Sequence, residues 1–258
     1  MRRRSLFTLA ALGAAAVACG PAEQKQKEPP VSEGAEFIRY GDAVGQFGEL
    51  SRPEGDPRGL VVVVHGGFWK PEYGIEYAQP LVPSLVEAGW AAWVLEYRRG
   101  SGSDDTLADV RAAIDAAPIE TDLVIGLGHS AGGHLVTWAA AGGGLTHVVS
   151  QAGVLDLRAA HDAGLGGGAV EAFLGHPPGP DDADVDPIQQ VPLAVPVWCV
   201  HGTDDTIVPI SQSEAYVAAA TSAGAIAELV EVEGDHFAVI EPDTEAWSRQ
   251  LALLNTFA

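Results

Sequence analysis

The sequence predicts an α/β fold with a mostly parallel central sheet, and three observations point there. Short β-branched runs alternate with stretches of helical periodicity. One of those runs, Leu60-Val61-Val62-Val63-Val64, has no polar member, as expected of a strand buried on both faces. The apolar share, 47% of 258 residues, can fill one core of a size that single α/β domains often reach.

The chain begins with an address. Arg2, Arg3 and Arg4 precede an apolar stretch from Leu6 to Ala18, which as a helix would rise about 20 Å, short of the roughly 30 Å of a bilayer core. That is the pattern of an export signal over residues 1–18, and the paired arginines before Ser5 resemble a twin-arginine signal. Ala16-Val17-Ala18-Cys19 resembles a bacterial lipobox, in which Cys19 becomes the lipidated first residue; an ordinary cleavage site with an incidental cysteine is the alternative. Residues 19–35 are polar and rich in Pro, Gln, Lys and Glu, so they predict a tether between a membrane and a domain spanning 36–258.

Within that domain, Phe37–Leu50 suggests an early hairpin and Leu60–Val64 a buried strand. Gln79–Glu87 reads as a helix ended by Gly89, and Trp90–Glu96 as a strand. Thr106–Ala116 is a helix stopped by Pro118, Asp122–Leu127 a strand, and Ala131–Ala141 a helix of small residues. His147–Gln151, Val197–Val200 and Glu228–Val232 supply three more strands, with helices over Ser211–Ala223 and Thr244–Phe257. The Gly- and Pro-rich excursion from Asp156 to Pro196 is long enough for a short cap, not for a second domain.

Asp and Glu outnumber Lys and Arg by 35 to 14, a formal charge of −21. That field repels phosphate backbones, so nucleic acid is not an expected partner. Lipidation of Cys19 would leave Cys199 as the other of two cysteines, without a disulfide partner, and its apolar surroundings predict packing. Zinc-ligand spacing, a phosphate-loop lysine and a dinucleotide fingerprint are all missing, so neither a metal nor a cofactor is expected.

The chemistry concentrates in three loops. Gly128-His129-Ser130-Ala131-Gly132 follows a predicted strand and opens a helix, a turn that stands a serine above the sheet edge. A serine hydroxyl needs a base to take its proton, and His236 lies in the loop after the last strand. An acid must hold that imidazole in one tautomer. Asp205 follows the preceding strand; Asp204 beside it competes for the role, and Asp156 is a third candidate. A developing oxyanion needs backbone donors, and His65-Gly66-Gly67-Phe68-Trp69 offers a glycine-rich loop after an earlier strand, with the Ala131 N–H as a further donor. His65 is expected to prop that loop and Trp69 to line an acyl pocket or be buried, while His129 and His134 are expected at the surface or in packing.

The strings HGGFW, GHSAGGHL, HGTDDTIVP and GDHF resemble the α/β-hydrolase superfamily, most closely its esterase and kynurenine-formamidase-like branch, over residues 36–258. The resemblance implies an α/β-hydrolase fold with helices on both sheet faces, Ser130 as nucleophile, Asp205 as acid and His236 as base. It also implies an oxyanion hole from the N–H groups of Gly67, Phe68 and Ala131. The activity it implies is cleavage of a small-molecule ester with short acyl groups, the alternative being an amide, formamide or small peptide. A catalytically silent binding protein on the same fold is the remaining alternative. The only membrane contact expected is the lipid on Cys19; the sequence does not speak to oligomeric state.

Overall fold

The computed structural model describes residues 31–258. The export signal and Cys19 lie outside the described residues, as does all but the end of the tether, and the first strand begins at Glu36.

Eight strands form one sheet: β1 (Glu36–Arg39), β2 (Phe47–Ser51), β3 (Leu60–Val64), β4 (Ala91–Leu95), β5 (Val124–His129), β6 (His147–Gln151), β7 (Val197–Gly202) and β8 (Ala227–Val232). Their spatial order is 1-2-4-3-5-6-7-8. β1 and β2 pair antiparallel, as do β2 and β4, and every later pairing is parallel. The early hairpin thus caps one edge of a parallel sheet. This is the α/β-hydrolase fold.

Alternation along the central strands explains their composition. Leu60, Val62 and Val64 of β3 enter one apolar cluster, while Val61 and Val63 enter the other. β4 divides likewise, with Trp93 and Leu95 on the first face and Ala92 and Val94 on the second. A strand buried on both faces has no position for a polar side chain. Helices α1 (Val82–Glu87) and α7 (Glu245–Leu254) cover the second face through Leu85 and Trp247. Helices α2 (Ser103–Asp115), α3 (Ala131–Ala140) and α6 (Ser211–Ser222) cover the first through Val110, Leu135 and Tyr216.

Element ends moved for identifiable reasons. The helix expected over 79–87 splits into a 3₁₀ turn (Gln79–Leu81) and α1, because Pro80 and Pro83 have no N–H to donate to the preceding turn. Thr244 stands outside α7 as its cap, its hydroxyl accepting from the Trp247 N–H at 3.1 Å. α2 begins three residues early, where Asp104 and Asp105 complement the helix dipole. The excursion over 156–196 is more regular than expected: helices α4 (Leu157–Asp162) and α5 (Ala169–Leu174) with short 3₁₀ turns. They lie on the first cluster through Leu157, Val170 and Phe173, and Lys70 Nζ donates to the Gly166 carbonyl at 2.8 Å. The cap therefore leans on the HGGFW loop.

Candidate active site

Ser130 links β5 to α3 with φ 54° and ψ −117°, a left-handed conformation that costs a non-glycine residue on the order of 1 kcal/mol or more. The glycines around it exist because backbone passes too close for a side chain. A Cβ on Gly128 would collide with the Gly132 carbonyl, and one on Gly132 would meet the carbonyl oxygens of Val64 and His65. The motif spacing is thus a packing constraint between the start of α3, the end of β5 and the end of β3. The Ser130 N–H is engaged by the Gln151 carbonyl at 2.8 Å, which pins the turn to β6.

His236, 3% exposed, comes from the loop after β8. Its Nδ1–H donates to Asp205 Oδ2 at 2.6 Å, which leaves the Nε2 lone pair to accept a proton. Asp205 comes from the loop after β7, and its side chain is fully buried. Oδ1 accepts the N–H groups of Ile207 and Val208, both at 2.9 Å. Burial pushes this carboxyl up, but hydrogen bonds from His201 and His236, the nearby His236 charge and the backbone hold it well below the usual carboxylate range. Asp204 is exposed. Asp156 caps α4, accepting the Ala159 N–H at 2.8 Å. Of the three acids considered, the fold brings Asp205 against the histidine.

Ser130 and His236 share the wall of one cavity of about 130 Å³, together with Gly66, Gly67, Phe68 and Ile207. Tyr73, Tyr77, His129 and Phe237 complete its lining. The HGGFW loop enters with Gly67 at φ 110° and, unusually, Phe68 and Trp69 at 52° and 55°. The Lys70 N–H closes the turn on the Gly67 carbonyl at 3.0 Å. Two successive non-glycine residues in that region need support from outside, and His65 provides it. Its Nδ1 lies 2.8 Å from the Gly66 carbonyl, its Nε2 3.3 Å from Glu96 Oε1, and its ring stacks on Tyr97 at 4.4 Å. Burial alone would raise the Glu96 carboxyl; the neighbouring His65 and Arg99 lower it to about 2, so it stays ionised. Ala131 is the first residue of α3, where a backbone N–H has no partner within its own helix. Gly67 and Phe68 line the same cavity as Ser130, and Ala131 follows it in the chain.

Where the sequence left two readings open, the structure selects one. Trp69 does not line the cavity; it is buried against Phe173, the rings stacked 4.5 Å apart, and Phe68 takes the wall. Of the surface and packing places expected for His129 and His134, both take packing. Burial lowers His129 to about 3, with the His236 charge adding to that, and lowers His134 to about 4, so both rings are neutral. The His129 Nε2–H donates to the His236 carbonyl at 2.9 Å, tying the serine turn to the histidine loop. His134 Nε2–H donates to the Val185 carbonyl at 2.8 Å and so fastens the cap. Cys199 is buried in β7, and burial pushes its thiol to about 12, in keeping with packing. His201 was missed, although its place four residues before Asp205 in HGTDD was a signal. Among the described residues no cluster of metal-ligating side chains occurs, and no helix is long and apolar enough to cross a membrane.

A larger cleft of about 500 Å³ adjoins the cavity across Tyr73, lined by charged residues including Glu72, Glu76, Arg98 and Arg99. It holds no nucleophile–base pair, so the chemistry belongs to the smaller space.

Residues 88–255 match the prolyl oligopeptidase family. No curated protein sequence matches the chain. Among solved structures, an esterase from the planctomycete Thermogutta terrifontis is 25% identical, with a TM-score of 0.71 over 89% of this chain and 93% of that one. The same esterase with propionate bound is 25% identical at a TM-score of 0.69, over 87% of this chain and 93% of that one. A truncated carbohydrate esterase from gut microbiota, 18% identical, has a TM-score of 0.74 over 89% of this chain and 99% of that one.

Proposed function

From a chain that belongs to the prolyl oligopeptidase family and is a serine hydrolase, we propose an exported esterase for small carboxylic esters, with Ser130 as nucleophile, His236 as base and Asp205 as the acid that orients it. The observation that carries this reading is the hydrogen bond from His236 Nδ1 to Asp205 beside a strained serine in the same cavity. Ser130 Oγ attacks the ester carbonyl while His236 Nε2 takes its proton. The oxyanion is received by the N–H groups of Gly67, Phe68 and Ala131. His236 returns the proton to the departing alcohol, leaving an acyl-serine. Water then adds with His236 again as base, Ser130 departs, and the free acid is released.

Cavity size supports short acyl groups. About 130 Å³ lies well below the roughly 300–1,000 Å³ of sites for drug-sized molecules. The similar Thermogutta terrifontis esterase has a structure with propionate, a short acid, bound. The family match favours a second reading, in which the same residues cleave an amide or small peptide. The N-terminal pattern supports export and lipid anchoring at Cys19; Cys19→Ala should move the protein from the membrane fraction to the soluble one.

The test is hydrolysis of p-nitrophenyl acetate, butyrate and octanoate by residues 36–258, beside Ser130→Ala and a matched anilide. Acetate and butyrate turnover at least about tenfold above octanoate, abolished in Ser130→Ala, is expected. Faster octanoate cleavage would refute the acyl-size reading. Anilide turnover matching the ester would give the amide reading precedence.

A further inference from the structure

The geometry points to His201 as a positioning residue for the reaction, which holds the Asp205 carboxylate toward His236 and draws off part of its charge. This rests on the reading of Ser130, His236 and Asp205 given above. His201 stands at the end of β7 with its side chain fully buried. Its Nε2 lies 2.8 Å from the Val208 carbonyl and 3.2 Å from Asp205 Oδ2. A carbonyl and an ionised carboxylate can only accept, so Nε2 carries the hydrogen. Nδ1 then holds a lone pair and accepts the Ser213 hydroxyl of α6 at 2.8 Å. The hydrogen is placed from the Nε2 side, and the Ser213 hydroxyl seats the other edge of the ring.

Three hydrogen bonds consequently converge on Asp205, two backbone N–H groups on Oδ1 and His236 on Oδ2, while the His201 Nε2–H, bonded to the Val208 carbonyl, also faces Oδ2 at 3.2 Å. Such a carboxylate cannot rotate away from His236. The titratable groups around His201 leave Asp205 as its charged neighbour. Cys199, two residues earlier on β7, is a thiol raised to about 12; Tyr216 on α6 is raised beyond its ordinary value by burial; His129 is lowered to about 3. Glu231, the register partner on β8, is exposed. His201 touches Asp205 and not the reacting serine loop, so its effect on the reaction passes through the carboxylate.

The sign of that effect follows from its donor role. A hydrogen bond from His201 competes with His236 for the charge on Oδ2, so the imidazolium of His236 is stabilised less and sheds its proton at lower pH. Removing the donor makes His236 a base that stays protonated to higher pH, and lets the carboxylate tilt.

The experiment compares His201→Leu, His201→Gln and Ser213→Ala with the wild type, reading kcat, KM, the pH profile of kcat/KM and thermal midpoint. Gln can keep a donor near the position of Nε2; Leu cannot. His201→Leu should lower kcat roughly 10–100-fold, the scale of one hydrogen bond to a charged group, with KM within about twofold. The acid limb of its profile should move up, and His201→Gln should restore most of both. Ser213→Ala, which removes the hydroxyl that seats the ring at Nδ1 and so loosens Nε2 from Asp205, should shift the limb the same way and covers the case in which the Leu variant does not fold. An unmoved acid limb in all three variants overturns the proposal, whether or not stability falls. Fluorophosphonate labelling of the wild type at Ser130 separates this from the underlying reading: absence of labelling would sink the nucleophile assignment itself.

Discussion

Asp205→Asn is the sharpest perturbation the site allows, because it changes charge and donor pattern at nearly constant volume. Asn Oδ1 can still accept the Ile207 and Val208 N–H groups at 2.9 Å. Its NH₂ would then face His236 Nδ1 and His201 Nε2, which contact Oδ2 at 2.6 and 3.2 Å and are both donors. Donor against donor is repulsive, so His236 is driven to the tautomer with hydrogen on Nε2, the atom proposed to accept the Ser130 proton. The lost charge adds to this. An imidazolium and a carboxylate with charge centres about 4 Å apart, at an effective dielectric near 20, attract by about 4 kcal/mol, which is about 10³ in rate. With the tautomer penalty the expected loss in kcat is about 10³–10⁴. The assay is p-nitrophenyl butyrate hydrolysis, with thermal melting to verify that the fold persists. Asp204→Asn, at an exposed position, should stay within about twofold of wild type. A kcat within tenfold of wild type for Asp205→Asn, or a larger loss for Asp204→Asn, would refute the assignment of the acid.

Two further outcomes follow from packing and burial. Gly132→Ala places a methyl against the carbonyl oxygens of Val64 and His65; since these are backbone, the serine turn must separate from β3. The expected cost is at least about 2 kcal/mol, a melting-point drop of about 4–8 °C, with esterase activity falling alongside, and an unchanged melting point would contradict the close approach. His134 is held neutral in the fold with its pKa lowered from 6.5 to about 4, so below pH 6.5 the unfolded chain binds a proton the folded one does not, and stability falls as pH drops toward 4. Between pH 6.5 and 5 this amounts to about 2 kcal/mol. Urea unfolding of His134→Gln, whose amide can keep the bond to Val185, should therefore show a shallower acid loss by about that much; parallel slopes in the two proteins would exclude His134 as a source.

Local pattern carried most of the fold. Val61 to Val64 could only be a strand with apolar material on both sides, and the glycines at 128 and 132 announced a tight turn. The order of Ser130, Asp205 and His236 along the chain also placed each on a loop at the end of a strand. Identifying Phe68 rather than Trp69 as the cavity wall was beyond the sequence, because two adjacent residues with positive φ point their side chains by a rule that helix and strand periodicity does not describe.

What the sequence by itself determined was therefore the sequence of strands and helices, the serine turn and a short set of candidates for base and acid, since each depends on residues within a few positions of one another. The tertiary structure decided the rest: Asp205 rather than Asp204 against His236, the second donor from His201, His129 bonding across 107 positions to the His236 carbonyl, and a cavity of about 130 Å³. These are distances between residues remote in the chain. They are set by how β5, β7 and β8 align in a common sheet and how closely the cap and the HGGFW loop pack upon it, and periodicity within any one element does not encode them.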